Sequence, residues 1–456
     1  MQQTDYLQEQ PLVTHSTDPL KTFYRSLMGE GAMPLPYRHP YYVEMFPKDP
    51  GRDPIQRLMQ RIDLAESESV NLLTGFRGNG KSTQLRRLQV LLEQRGCRVY
   101  LVDMKNYILL TKPLEISDFI LSLCAALAAE VAKDTQLQPL AVSYSERLFQ
   151  LLQSRIELQD LTLEWKGSEV AAKLGVSLKR DPSFKEQVQQ ALRGHIAPLI
   201  EQARQFIEGV VDTIREIEGD PARKVVLLVD SVEQIRGVGG EAQQVYDSVI
   251  NLFSAHAANL EFRRLHILYT LPPILLYNAG RNLGGHAITQ WPNIHVHGRE
   301  GGHPDPEGLM IMRSIVAQRY RFWEVVFSER QLNDLALSSG GDLRDFFRLV
   351  RESLITAITI SESERASPKV SDAMIEQAKN QLLSELLPIP EEDGRWLQKI
   401  HHSKQTELAS ASEMARLTRF LDGNLIMNYL NGQPWYDIHP LLRDAVAAKV
   451  APGAAG

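Results

Sequence analysis

Cysteine is scarce: Cys97 and Cys124 are the only two in 456 residues. Each sits in an apolar segment, so neither a disulfide framework nor a zinc knuckle can be assembled from them, and a reducing, cytoplasmic setting is expected. Long hydrophobic runs are missing too. The longest, residues 119–132, is too short and too broken by Ser122 and Glu130 to span a bilayer, and residues 1–20 have no apolar core of the kind a secretory signal needs. Positive charge is not in excess either, since 50 Lys and Arg stand against 56 Asp and Glu, a net charge of −6. With no global basic field to hold nucleic acid or an anionic membrane, any nucleic-acid contact has to be local.

What remains is ordinary globular composition, 43% hydrophobic and 23% charged, at a length that suggests about three domains. Strand-like runs at 70–74, 98–103, 224–230, 265–270 and 293–297 alternate with helical patterns, which predicts an α/β fold with a parallel sheet. The spacing of Ile55, Leu58 and Ile62 predicts a helix over 53–62. Residues 1–52 read as an N-terminal extended segment, rich in Pro and Tyr from 34 to 50, and residues 53–300 as the sheet domain.

Within that domain, residues 134–220 are too long for one crossover and read as an insertion. Alternation over 161–178 predicts a β-hairpin. Asp181 then offers an N-cap with Pro182 behind it, and apolar residues at steps of three and four predict one long helix to 217, kinked at Pro198 and projecting from the sheet. A Gly-rich stretch at 298–308 marks a boundary. Helical patterns over 309–320, 328–337, 342–360 and 371–387 make residues 301–388 a helical bundle. Residues 389–450 read as winged-helix-like, with a helix over 410–421 and a hairpin turned by Asn431-Gly432, and 451–456 as a tail.

Gly75-Phe76-Arg77-Gly78-Asn79-Gly80-Lys81-Ser82 is a phosphate-loop motif set between an apolar strand and a helical pattern. Glycines let successive backbone N–H groups converge on a phosphate, and the helix N-terminus adds its positive end. Gly75, Gly78, Asn79, Gly80, Lys81, Ser82 and Thr83 are the expected nucleotide-binding residues. Lys81 reaches the β and γ oxygens and Ser82 ligates Mg²⁺. A second signal is the apolar strand over 225–229 that ends in Asp230, which reads as a Mg²⁺-organising carboxylate from a strand beside the phosphate-loop strand. Glu233 has two readings, a group that polarises water toward the γ-phosphate or a solvated side chain on the next helix.

These motifs, a polar residue (Thr270) ending the strand after Asp230, and Gly340-Gly341-Asp342-Leu343-Arg344 in the helical region together resemble the AAA+ and STAND branch of P-loop ATPases. The likeness is to the initiator-like type with a helical lid and a winged helix, and it extends over residues 53–450. It implies an α/β P-loop fold, ATP and Mg²⁺ as ligands, and ATP hydrolysis with Lys81, Asp230, Glu233, Thr270 as sensor 1 and Arg344 as sensor 2. The sequence departs from AAA+ enzymes in placing Ser231, not Glu, directly after Asp230, and Glu233 resembles the acidic position of STAND sequences instead. Arg281 lies where AAA+ rings present an arginine finger, in a loop-like stretch that also reads as a turn. No Asn/Thr-Lys-x-Asp guanine-reading motif is present, so the resemblance implies ATP and not GTP. Leu337-Ser338-Ser339-Gly340-Gly341 looks like an ABC signature, but that motif precedes the Asp-bearing strand in ABC ATPases and here follows it.

His295, His297 and His303 have no cysteine or clear acidic partner to complete a metal site, and no Gly-x-Ser-x-Gly elbow supports acyl transfer. From 391 to 450, seven basic residues stand against eight acidic ones. Arg416 and Arg419 share their helix with Glu413, so an intramolecular or protein-contact role is favoured over reading DNA. Three functions stay open: a regulatory switch in a bacterial defence or signalling system, acting on an assembly or a partner effector through 134–220 or the winged helix; an initiator- or transposition-type ATPase loading on DNA; and a nucleotide-binding scaffold with little turnover.

Overall fold

The computed structural model describes residues 18–29, 33–46, 49–153, 176–177, 179–192, 196–237, 241–278, 283–286, 288–364, 369–406 and 413–450. By its packing the chain divides into two compact units. One comprises Glu44–Asn293 with Ile400–Asp437, the other Met1–Val43, Ile294–Lys399 and Ile438–Gly456.

The first unit is built on a five-stranded sheet: β1 (Ser69–Thr74), β2 (Arg98–Asp103), β3 (Val225–Asp230), β4 (Leu265–Leu271) and β5 (Ile288–Gln290), in the order β2-β3-β4-β1-β5. Every neighbouring pair is parallel. β3 and β4 are buried along their whole length, which is why they read as unbroken apolar runs rather than alternating ones. Successive residues face opposite layers. Val225, Leu227 and Val229 pack with one helical layer that includes Phe119 and Phe206. Val226 and Leu228 pack with the other, which includes Leu58, Leu85 and Leu88.

The helix Pro54–Leu64 starts where Asp53 accepts from the Ile55 N–H at 2.9 Å, with Pro54 at the first helical position. On the opposite layer lie Ile116–Val131, Gln138–Gln153, Pro182–Leu192 and Ile196–Glu218. Here the structure departs from the sequence reading. Of the expected helix over 182–217, residues 193–195 lie outside the described residues; helix is found over Pro182–Leu192 and over Ile196–Glu218. The second of these does not project: Phe206, Ile207, Val210, Val211 and Ile214 are buried in the same core as Phe119 and Leu123. Its three-and-four spacing marked a buried face, and the face it buries against is this domain's own. The hairpin expected over 161–178 falls almost wholly outside the described residues.

The fifth strand is also displaced. Residues 288–290 pair with β1, whereas the expected strand at 293–297 joins no sheet; Ile294 N–H donates to Gly341 O at 3.3 Å and Asp305 N–H to Val296 O at 2.8 Å. The alternation of Ile294 and Val296 reported burial correctly, but that burial is in the other unit.

To the first unit also belong the helix Met414–Asp422 and a two-stranded hairpin of β6 (Ile426–Asn431) and β7 (Gln433–Ile438) as far as Asp437. The hairpin turns at Gly432, whose φ of 111° suits glycine. Asn293 N–H donates to Asn428 O at 2.9 Å, and the Thr406 hydroxyl donates to that of Tyr277 at 2.8 Å. The boundary between units thus passes through residues 389–450.

The second unit is helical. It holds Pro19–Ser26, Pro306–Arg319, Glu329–Ser338, Leu343–Glu364, Asp372–Leu386 and Arg443–Val450. Phe23 stacks on Tyr320 with ring centroids 4.7 Å apart. Among the described residues no helix is long and apolar enough to cross a membrane.

Candidate active site

The phosphate loop leaves the C-terminal end of β1 and runs into the helix Lys81–Gln94. Gly78 and Gly80 have φ of 87° and 90°, so both use the left-handed region that a side chain would disfavour. Gly75 is required for space: a Cβ there would lie 2.4 Å from the Trp291 carbonyl oxygen. Lys81 is 3% exposed, and its ammonium donates to Gly75 O at 2.8 Å and Phe76 O at 2.5 Å, folded over its own loop. It also lies 3.8 Å from a carboxylate oxygen of Glu233. Ser82 and Thr83 are in the first turn of the same helix.

Asp230 closes β3 and stands in register with Asp103 at the end of β2. Its Oδ1 accepts from the Ser231 N–H at 2.7 Å. Burial is the main cause that pushes its carboxyl up to about 6; the charge of Glu233 adds to the rise, and the Ser82 hydroxyl and Ser231 N–H pull the other way. Ser231 has φ of 70°, and this left-handed step swings Val232, Glu233 and Gln234 into a short 3-10 turn. Glu233 is therefore buried, at 5% exposure, which discards its reading as a solvated side chain. Its Oε2 has no hydrogen-bond partner.

One sequence expectation is corrected by the sheet order: β3 does not neighbour β1, because β4 lies between them. Thr270 on β4 is accordingly placed between Asp230 and the phosphate loop. Its hydroxyl donates to Val229 O at 3.2 Å and accepts from Val232 N–H at 3.1 Å, so it braces the turn that carries Glu233.

The other expected residues lie elsewhere. Arg344 belongs to the second unit, exposed in the first turn of Leu343–Glu364, where Asp342 accepts from the N–H groups of Arg344 and Asp345 at 2.9 and 3.0 Å. Arg281 lies outside the described residues. His297 is tied to Gly302 O at 3.3 Å and Leu337 O at 3.1 Å, and His295 lies 3.6 Å from Asp305.

Sequence reasoning missed several neighbours of the site. Asp103, half-buried, contributes a further negative charge beside Asp230; its position at a strand end was the available signal. Asp422, the last residue of the helix Met414–Asp422, accepts a hydrogen bond from the Tyr246 hydroxyl. Burial raises its carboxyl, while that bond and the charges of Arg77, in the phosphate loop, and Arg236 hold the rise back. Trp291, just past β5, bonds to both ends of the loop; nothing in its local sequence singled it out.

No family model matches the chain, and neither does any curated relative. Among solved structures it is similar to a Drosophila ORC bound to DNA (13% identity, 99% of this chain and 95% of that one, TM-score 0.36). It is likewise similar to the Aeropyrum pernix ORC2 protein in its ADP form (10%, 90% and 96%, TM-score 0.39). The Thermotoga maritima RuvB Holliday junction branch migration motor matches at 10% identity, over 89% and 92%, with a TM-score of 0.34. With a glycine-bearing loop joining the edge-proximal strand β1 to a helix, and an Asp-ended strand one place removed in a parallel sheet, the chain has an α/β P-loop fold.

Proposed function

We propose that the chain is a regulatory ATPase, which binds ATP on Gly75, Gly78, Asn79, Gly80, Lys81, Ser82 and Thr83 and uses its hydrolysis to control an assembly or a partner protein. The observation that carries this reading is the buried Lys81 ammonium between two loop carbonyls and Glu233, beside Asp230 at the same sheet edge. A buried cation in a glycine-bearing loop at a helix N-terminus suits the phosphates of a nucleotide, which would take over the ammonium from the carbonyls.

The donor set also fits Mg²⁺. Two carboxylates lie together in a water-poor site, one of them with an unpartnered oxygen, and a hydroxyl stands next to them. Ser82 and Asp230 would hold the ion, which would supply neutralisation of phosphate charge. Glu233 orients and polarises the attacking water, and Thr270 acts by fixing the Glu233 turn. Arg344 takes the sensor-2 role that the resemblance implies for it. Partner contact falls to residues 134–220 outside the buried helix faces, or to the C-terminal region.

The test is calorimetry on Lys81→Ala, which is expected to abolish ATP binding; an unchanged affinity removes the assignment. Turnover measured with and without duplex DNA separates the two uses of such a site. Stimulation by DNA moves the reading to an ATPase that loads on DNA, and its absence supports a protein-directed switch.

A further inference from the structure

Trp291 joins the two shoulders of the phosphate loop. Its backbone N–H donates to Thr74 O, where the loop begins, at 2.7 Å. Its carbonyl accepts from the Asn79 side-chain amide at 3.1 Å, and its indole Nε1–H donates to the Asn79 carbonyl at 2.9 Å. The ring is 1% exposed and packs edge-on against Phe46 with centroids 5.7 Å apart. Gly75 lies so close beneath it that a Cβ would also meet the Trp291 Cβ at 3.2 Å.

The bond to the Asn79 carbonyl has a consequence set by covalent geometry. The Asn79–Gly80 peptide is trans, so its C=O and N–H point in opposite directions. With the carbonyl held by the indole, the Gly80 N–H is directed away from Trp291. The Gly80 φ of 90° then turns the chain at once into the helix that begins at Lys81. Without the indole donor, a buried carbonyl loses its partner and the peptide plane is freer to rotate.

We infer that Trp291 is a positioning residue of the nucleotide site: by holding the Asn79 carbonyl it presents the Gly80 N–H to the β-phosphate of the bound nucleotide. This rests on the nucleotide-binding reading above. It assigns to a residue 212 positions from Asn79 a share of phosphate recognition that the loop motif alone does not contain.

The test uses the full chain and Trp291→Phe, which keeps an apolar ring and removes the N–H donor. ADP affinity by calorimetry is expected to fall about tenfold, the size of one buried hydrogen bond, while affinity for AMP, which lacks the β-phosphate, changes less than about twofold by competition. An ADP affinity equal to wild type overturns the inference, and so does equal weakening of ADP and AMP, which describes a residue that only supports the fold. Should Trp291→Phe fail to fold, Trp291→Met, which equally lacks a side-chain N–H donor, takes its place, with the same two outcomes against ADP and AMP. Lys81→Ala is run beside them. If it still binds ADP, the nucleotide-site reading has failed; if it does not, and Trp291→Phe binds ADP normally, only the role of Trp291 has.

Discussion

At the scale of single residues, the site is assembled at a cost in stability that pH can reveal. Asp230 has its carboxyl raised to about 6 by burial and by Glu233, above the value it has in the unfolded chain. Between about pH 4 and 6 the folded protein therefore holds a proton that the unfolded chain has released, and stability falls as pH rises through that window. Asp230→Asn is expected to flatten the fall and to stabilise the protein at pH 7 by about 1 to 3 kcal/mol, read from urea midpoints at pH 5 and pH 7. The same substitution should remove any stabilisation by Mg²⁺. A variant no more stable than wild type at pH 7 would show that burial and Glu233 do not hold the Asp230 carboxyl above its value in the unfolded chain.

At the scale of elements, the helix that follows the phosphate loop is anchored from below. Arg87 on Lys81–Gln94 is 3% exposed and makes a 2.6 Å ion pair with the buried Asp53 and a 3.0 Å pair with Glu44. Asp53 does two jobs, since its other oxygen caps Pro54–Leu64 through the Ile55 N–H. Removing one partner of a buried pair costs more than the pair contributes, because it strands the remaining charge. Asp53→Ala is thus expected to destabilise by about 3 to 5 kcal/mol, cap included, and Asp53→Asn by less because it can still cap. Denaturant unfolding of both variants checks the order; equal losses would assign the effect to the ion pair alone.

At the scale of the whole molecule, a nucleotide works as a switch only if the protein tells ATP from ADP, and Arg344 is the residue proposed above to do so. A charge-assisted bond from Arg344 to the γ-phosphate, made in one arrangement only, is worth roughly 1.5 to 3 kcal/mol and shifts the ratio of arrangements about ten- to a hundredfold. ATP, and not ADP, is therefore expected to compact the protein or promote its self-association, with Arg344→Ala retaining nucleotide binding but losing the difference. Small-angle scattering in both nucleotides decides it: identical wild-type profiles at matched oligomeric state would leave a passive nucleotide-binding scaffold.

The parts legible in the amino-acid order were those whose causes are local. Gly75 to Thr83 announce a loop because left-handed glycines, a lysine and a hydroxyl must follow one another along the backbone. Val225 to Asp230 announce a buried strand because every side chain is apolar until the carboxylate. Periodicity also gave the buried face of Ile196–Glu218 and the burial of Ile294 and Val296, but a buried face does not name what covers it. The sheet order was the tertiary structure's to decide, since a parallel strand's neighbour is chosen by crossovers and not by its own residues; hence β4, with Thr270, came between Asp230 and the loop. The burial of Glu233 followed from the left-handed step at Ser231, and the bracket from Trp291 to Asn79 from the pairing of β5 with β1. Hydrogen bonds between groups so distant in the chain leave no periodic trace in it, and only the folded backbone brings them within reach.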